Sequence, residues 1–134
     1  MTRSVMVFGT FDHFHEGHRF LIREALKLGQ VTVVVARTEN VERIKGQKPD
    51  HTDAERTKEV QDAFPDVTVM LGNGTDFLEP LRIVKPDLLL FGYDQKLPPG
   101  VTETDLPCKV ARAPAFKPEL FKSSLMKKNR KEGD

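Results

Sequence analysis

The sequence predicts one α/β domain built on an open sheet of five parallel strands with helices on both faces. Three observations carry this reading. Short apolar or β-branched runs alternate with segments of helical periodicity. Val5-Met6-Val7-Phe8, a helical stretch and Val31–Ala36 make strand, helix and strand within roughly 30 residues, the length of a right-handed βαβ unit. Leu88-Leu89-Leu90-Phe91 offers no polar position, as a strand covered on both faces requires. A chain of 134 residues supports a single core, so one domain over 1–134 is expected, with 119–134 as a C-terminal helix and basic tail.

Val5–Phe8 is the first strand. A helix is expected from His18 to Leu28, because Phe20, Leu21, Ala25 and Leu28 recur at three- and four-residue spacing. Gly29 would end it as a C′ residue. Val31–Ala36 is β-branched and forms the second strand. Arg37–Asp50 has no apolar period, carries Gly46 and Pro49, and reads as a loop. Thr52-Asp53-Ala54-Glu55 fits a capping box. The helix it opens runs towards Phe64 and Pro65, with a thin stripe of Ala54, Val60, Ala63 and Phe64. Val67–Leu71 is the third strand and Gly72-Asn73-Gly74 a turn. Asp76–Val84 is a short helix in which Pro80 is tolerated only in the first turn. After the fourth strand, Lys96–Pro107 is proline-rich and reads as a loop without a helix; Lys109–Arg112 is the fifth strand. A last helix starts at Glu119 or Leu120.

The formal net charge of +1 argues against a dedicated nucleic-acid binder and gives no support to a membrane partner. No apolar run approaches the ~20 residues of a membrane span. Met1–Ser4 leads directly into the first strand, so no secretory leader is expected. Cys108 is the one cysteine, so no internal disulfide can form. A cytoplasmic protein is the simplest expectation.

In open parallel sheets ligands sit at the carboxyl ends of the strands, where strand order reverses. Thr10–His18, Arg37–Lys48, Gly92–Gln95 and Arg112 all follow strands. The first of these stretches is the most informative. Gly9 permits a tight turn, and His15 and His18, three residues apart, share one face of a helical turn with Gly17 between them. A helix start there offers free N–H groups to an anion. The pair as half of a zinc site lacks support, since no His-Glu-x-x-His or cysteine pair is present.

Gly9-Thr10-Phe11-Asp12 followed by His15-x-Gly17-His18 resembles the signature of the nucleotidyltransferase superfamily marked by His-x-Gly-His. Its members include glycerol-3-phosphate cytidylyltransferase, phosphopantetheine adenylyltransferase and archaeal-type FAD synthase. The resemblance implies a Rossmann-like domain in which His15 and His18 bind the triphosphate and stabilise the transition state, with Gly9, Thr10, Phe11 and Gly17 shaping the nucleotide site. Phe121–Lys127 is similar to the superfamily's second signature. Ser123 and Ser124 fall on its hydroxyl positions and Lys127 where arginine normally sits, so Lys127 is a further catalytic candidate. Without the resemblance, that segment is a plain basic helix. Lys122 departs from the signature by replacing its first serine.

The middle of the chain is similar to archaeal-type FAD synthase at Val35-Ala36-Arg37, Ile44–Pro49, Glu55-Arg56, Lys85-Pro86-Asp87 and Gly92–Lys96. That branch transfers AMP from ATP to the phosphate of FMN, giving FAD and pyrophosphate by direct attack. Gly92 and Asp94 are then nucleotide-binding candidates, and Arg37, Lys45 and Arg112 substrate-binding candidates. Mg²⁺ bridging the triphosphate is the expected cofactor, with no direct side-chain ligand. After Lys96 the similarity weakens, near where the second substrate should sit. Two alternatives therefore stay open. One is a cytidylyltransferase using CTP and glycerol 3-phosphate or another small phosphorylated alcohol; the other is a non-catalytic nucleotide-binding protein. The intact histidine pair with Ser123 and Ser124 speaks against the last. A homodimer is expected, because Leu97–Leu106 and the surroundings of Phe64 would need cover.

Overall fold

The computed structural model describes residues 3–74 and 76–115. Its elements are β1 (Ser4–Gly9), α1 (Glu16–Leu26), β2 (Gln30–Val35), α2 (Thr38–Lys45), α3 (Asp53–Ala63), β3 (Thr68–Leu71), α4 (Glu79–Val84), β4 (Leu88–Phe91) and β5 (Lys109–Arg112). All five strands pair in parallel, in the order β3-β2-β1-β4-β5. The chain builds outward from β1 through β2 to β3, then crosses back to β4 and β5. Order therefore reverses between β1 and β4.

The strand period of two sorts the core onto two faces. Val5, Val7, Val31, Val33 and Val35 pack with Ile22 and Ala25 of α1 and Val60 of α3. Met6, Phe8, Val34, Leu89 and Phe91 pack with Leu81 of α4 and with Leu106. Right-handed crossovers explain the division: reversing the direction of travel across the sheet moves the connection to the opposite face. β4 is buried at every position, as its composition requires.

The capping box at Thr52 is present, with Glu55 closing it. Pro80 lies in the first turn of α4, where its missing N–H costs nothing. Four expectations need correction. Arg37–Asp50 is not all loop, because Thr38–Lys45 is helical. This helix buries only Val41; it is held by its ends, with Thr38 N and Oγ1 donating to Asp53 Oδ1 at 2.9 and 2.8 Å and Gly46 closing it in the left-handed conformation. Gly29 is not a left-handed cap; its hydrogen faces the Arg3 carbonyl, which an added Cβ would meet at 2.1 Å. Leu28 and Ala54 are exposed, so neither belongs to a buried stripe. The segment after Lys96 contains a single 3-10 turn at Glu103–Asp105, and Leu97, Val101 and Leu106 fold back onto the core. Phe64 likewise packs against Phe14. The apolar surface on which the dimer expectation rested is thus largely covered within the chain. The expected last helix lies outside the described residues.

Candidate active site

A cavity of about 470 Å³ opens at the carboxyl end of the sheet, at the reversal point between β1 and β4. Phe8–Phe11 contribute from the end of β1, Gly92–Gln95 from the end of β4, and His15, Gly17 and His18 from the start of α1. A larger groove of about 710 Å³ lies beside Gln61, Pro65 and Thr68, but among the described residues Asp62 is the one ionisable group in its lining. The first cavity is therefore the candidate site.

The two histidines are built into the start of α1. His15 is its N-cap, and its Nδ1 accepts the Gly17 N–H at 3.1 Å. His18 Nδ1 accepts the His15 N–H at 3.3 Å. A backbone N–H can only donate, so Nδ1 of each ring is the acceptor and Nε2 carries the proton of the neutral form. The rings stack 3.7 Å apart at 18°. Gly17 makes this possible, since a Cβ there would come within 3.0 Å of the His15 ring. Phe11 and Phe14 back His18 at 5.3 and 5.8 Å. Burial in this packing lowers the His18 pKa to about 4, with the His15 and Lys45 charges acting in the same direction and Asp12 opposing. At neutral pH His18 is an uncharged imidazole offering Nε2–H, a donor suited to an anionic oxygen.

Lys45, at the end of α2, reaches across to Thr10 and donates to Oγ1 at 3.2 Å. Its ammonium thus enters the cavity from the other side of the β1 loop. Gly92 and Asp94 line the opposite wall, held by Gln95, whose Oε1 accepts from Gly92 N and whose Nε2 donates to Phe8 O. Phe11 is nearly fully buried and forms the floor beneath His18. Arg37 and Arg112 are not brought into the lining. Arg37 Nε donates to Gly72 O at 2.5 Å, and Arg112 Nη1 donates to the carbonyls of Gly92 and Gln95 at 3.0 and 2.6 Å. In this structure both brace loops. Ser123, Ser124 and Lys127 lie outside the described residues.

Sequence reasoning missed two supports of the site. Arg56 on α3 is fully buried and donates to the carbonyls of Thr10, Ala36 and His51, to Thr38 Oγ1 and to Asp53 Oδ1. A signal existed: Arg56 is four residues from Val60, on the face of a thin stripe where an apolar residue is expected. Asp12 ties the β1 loop to the entry of α3 by accepting from Asp50 N, His51 N and His51 Nδ1. Burial alone would push its carboxyl up; these hydrogen bonds outweigh it and bring the pKa down to about 2.

Imidazole and ammonium donors gathered at the switch point of a parallel sheet, with no paired carboxylates among the described residues there, mark a Rossmann-like domain with a candidate site for an anionic ligand. The chain belongs to the cytidylyltransferase-like family, whose model matches residues 6–126. It is 37% identical over 119 residues to an FAD synthase of Natronomonas pharaonis, covering 84% of each chain. It is 38% identical over 121 residues to an FAD synthase of Methanosarcina mazei, covering 84% of this chain and 78% of the relative. Among solved structures it is similar to a lipopolysaccharide core biosynthesis protein from Thermoplasma volcanium. There the TM-score is 0.75 at 28% identity, over 87% of this chain and 100% of that one.

Proposed function

We propose that this chain is a nucleotidyltransferase that transfers AMP from ATP to the phosphate of FMN, giving FAD and pyrophosphate. The observation that carries this reading is the stacked His15–His18 pair, presenting Nε2–H donors at a helix start in a chain similar to FAD synthases. A phosphate monoester has a second pKa of about 6 and is already mostly dianionic at neutral pH, so its oxygen needs no general base. That oxygen forms a bond to the α-phosphorus as the bond to the pyrophosphate oxygen breaks. The protein aligns two anions and stabilises charge on the transferring and leaving groups. His18 and His15 donate from Nε2, Lys45 supplies a charge from the facing wall, and the α1 N-terminus adds its partial positive charge. By the family resemblance, Ser123, Ser124 and Lys127 complete the triphosphate contacts.

The donor set fits a Mg²⁺ carried by the triphosphate. Among the described residues, the cavity lining offers imidazole and ammonium donors for phosphate oxygens, and Asp94 as its one carboxylate. When bound, the ion neutralises charge on the triphosphate oxygens. Homodimer formation is also proposed; among the described residues the outer strands β3 and β5 each pair on one side only, an edge a second copy can meet.

Incubation with ATP, FMN and Mg²⁺ is expected to yield FAD and pyrophosphate, followed by chromatography. His18→Ala should lower kcat about 100-fold while far-ultraviolet circular dichroism is unchanged. Product from CTP and glycerol 3-phosphate in place of FAD would assign the cytidylyltransferase chemistry instead. No pyrophosphate with either pair, despite ATP binding, would leave a non-catalytic nucleotide-binding protein. A monomer mass by light scattering at micromolar concentration would refute the dimer.

A further inference from the structure

We propose that Asp12, His13 and His51 form a binding site for a divalent transition-metal ion, separate from the nucleotide cavity. None of the three lines that cavity. Their ligand atoms already lie within 4.8 Å of one another. His51 Nδ1 is 2.9 Å from Asp12 Oδ1, and His13 Nε2 is 4.0 Å from Asp12 Oδ2. Tetrahedral Zn²⁺ with bonds of ~2.1 Å holds its ligand atoms about 3.4 Å apart. The two distances run to different oxygens of Asp12, so both rings must turn to bring one ligand atom each to an ion on this carboxylate. The His13 side chain is 61% exposed and the His51 side chain 33%, so the rings have room to turn.

The carboxylate is the fixed point of the site. Asp12 is held by the N–H groups of Asp50 and His51 at 2.8 and 3.1 Å, the kind of outer hydrogen bonding that orients a metal ligand. Three of the roughly four lone-pair sites of the carboxylate are used, one of them by the ring proton that a metal would replace. Asp50 Oδ2 lies 2.6 Å from His13 Nε2, so it can turn to the fourth position or leave it to water. Two imidazoles with a carboxylate select Zn²⁺, Co²⁺ or Ni²⁺ over Mg²⁺, which prefers oxygen ligands and keeps its waters. The ion would clamp the loop after β1 to the entry of α3, two segments more than thirty residues apart in the chain.

The test uses the full chain and ZnCl₂ alone in nucleotide-free buffer, so its outcome is independent of the FMN reading. Calorimetry is expected to show one ion per chain at micromolar affinity or tighter, with millimolar Mg²⁺ failing to compete. His51→Asn and His13→Asn should each weaken binding at least tenfold; asparagine suits the left-handed backbone of His13, at φ 51°. In the wild-type protein, histidine ring NMR signals of His13 and His51 should move while those of His15 and His18 stay in place. This keeps the proposal testable should a variant fail to fold. Unchanged affinity in both variants, Zn²⁺ shifts centred on His15 and His18, equal competition by Mg²⁺, or no stoichiometric binding would each overturn it. The cluster would then be a hydrogen-bonded clasp only.

Discussion

Replacing Arg56 with methionine removes the one buried charge among the described residues and all five of its hydrogen bonds at once. Methionine fills much of the volume, so the cost falls on the partners. Asp53 keeps Thr38 N and Oγ1 as donors and is not stranded. The carbonyls of Thr10, Ala36 and His51 each lose a donor, at 3.0, 2.6 and 3.1 Å. An unsatisfied buried polar group costs about 1–3 kcal/mol. Thr10, Ala36 and His51 are all half-buried, so water offsets part of the three penalties and the total stays below their full sum. We therefore expect a loss of about 4 kcal/mol, within the ~3–5 kcal/mol typical of breaking a buried ion pair and a large part of the ~5–15 kcal/mol of a whole domain. Arg56→Lys retains the charge but cannot span five acceptors, and should lose about half as much. Urea unfolding followed by circular dichroism measures both, through a fall in midpoint at constant slope. A loss below about 1 kcal/mol for Arg56→Met would refute the assignment of Arg56 as the tie between the β1 loop, β2, α2 and α3.

Gly29→Ala places a Cβ 2.1 Å from the Arg3 carbonyl, the acceptor of Gln30 N, and should destabilise by about 1–3 kcal/mol; an unchanged Tm would mean the strand ends shift freely. His18 makes stability depend on pH. Its folded pKa of about 4 lies below the ordinary 6.5, so the unfolded chain binds more protons between these values and stability falls as pH drops from 6.5 towards 4. The upper bound is ~3 kcal/mol, and partial exposure reduces it to about 1–2 kcal/mol. His13, raised by its Asp50 partner, adds stability as pH falls towards 6.5, above this window, whereas Asp12 and Asp76, both lowered, add to the loss below pH 4. His18→Asn should flatten the slope between pH 6.5 and 4.5 in urea titrations, and an identical slope in the two proteins would exclude His18 as the cause. Lys127→Ala is expected to lose about 2 kcal/mol of transition-state stabilisation in kcat/KM while Lys127→Arg preserves it; wild-type pyrophosphate release by the alanine variant would remove Lys127 from the reaction.

What the sequence determined by itself is what lies within a few residues of its cause. The buried strands follow from composition, since Val5–Phe8 and Leu88–Phe91 hold no polar side chain to solvate. The capping box closes within Thr52–Glu55, and the His15–His18 pair makes its Nδ1 contacts within three residues, so residue type and spacing were enough to find both. The place of the candidate cavity followed too, because it lies at the reversal of strand order, where sheets of this kind bind ligands. Tertiary structure decided whatever depends on distant partners. α2 has a weak apolar face and exists because Asp53 caps it from α3. Lys45 enters the cavity by meeting Thr10, 35 residues away, whereas Arg37 and Arg112 spend donors on loop carbonyls. Arg56 reaches Thr10 across 46 residues. A long cation can serve substrate, backbone or solvent with the same side chain, and only the positions of the carbonyls and carboxylates around it select among them.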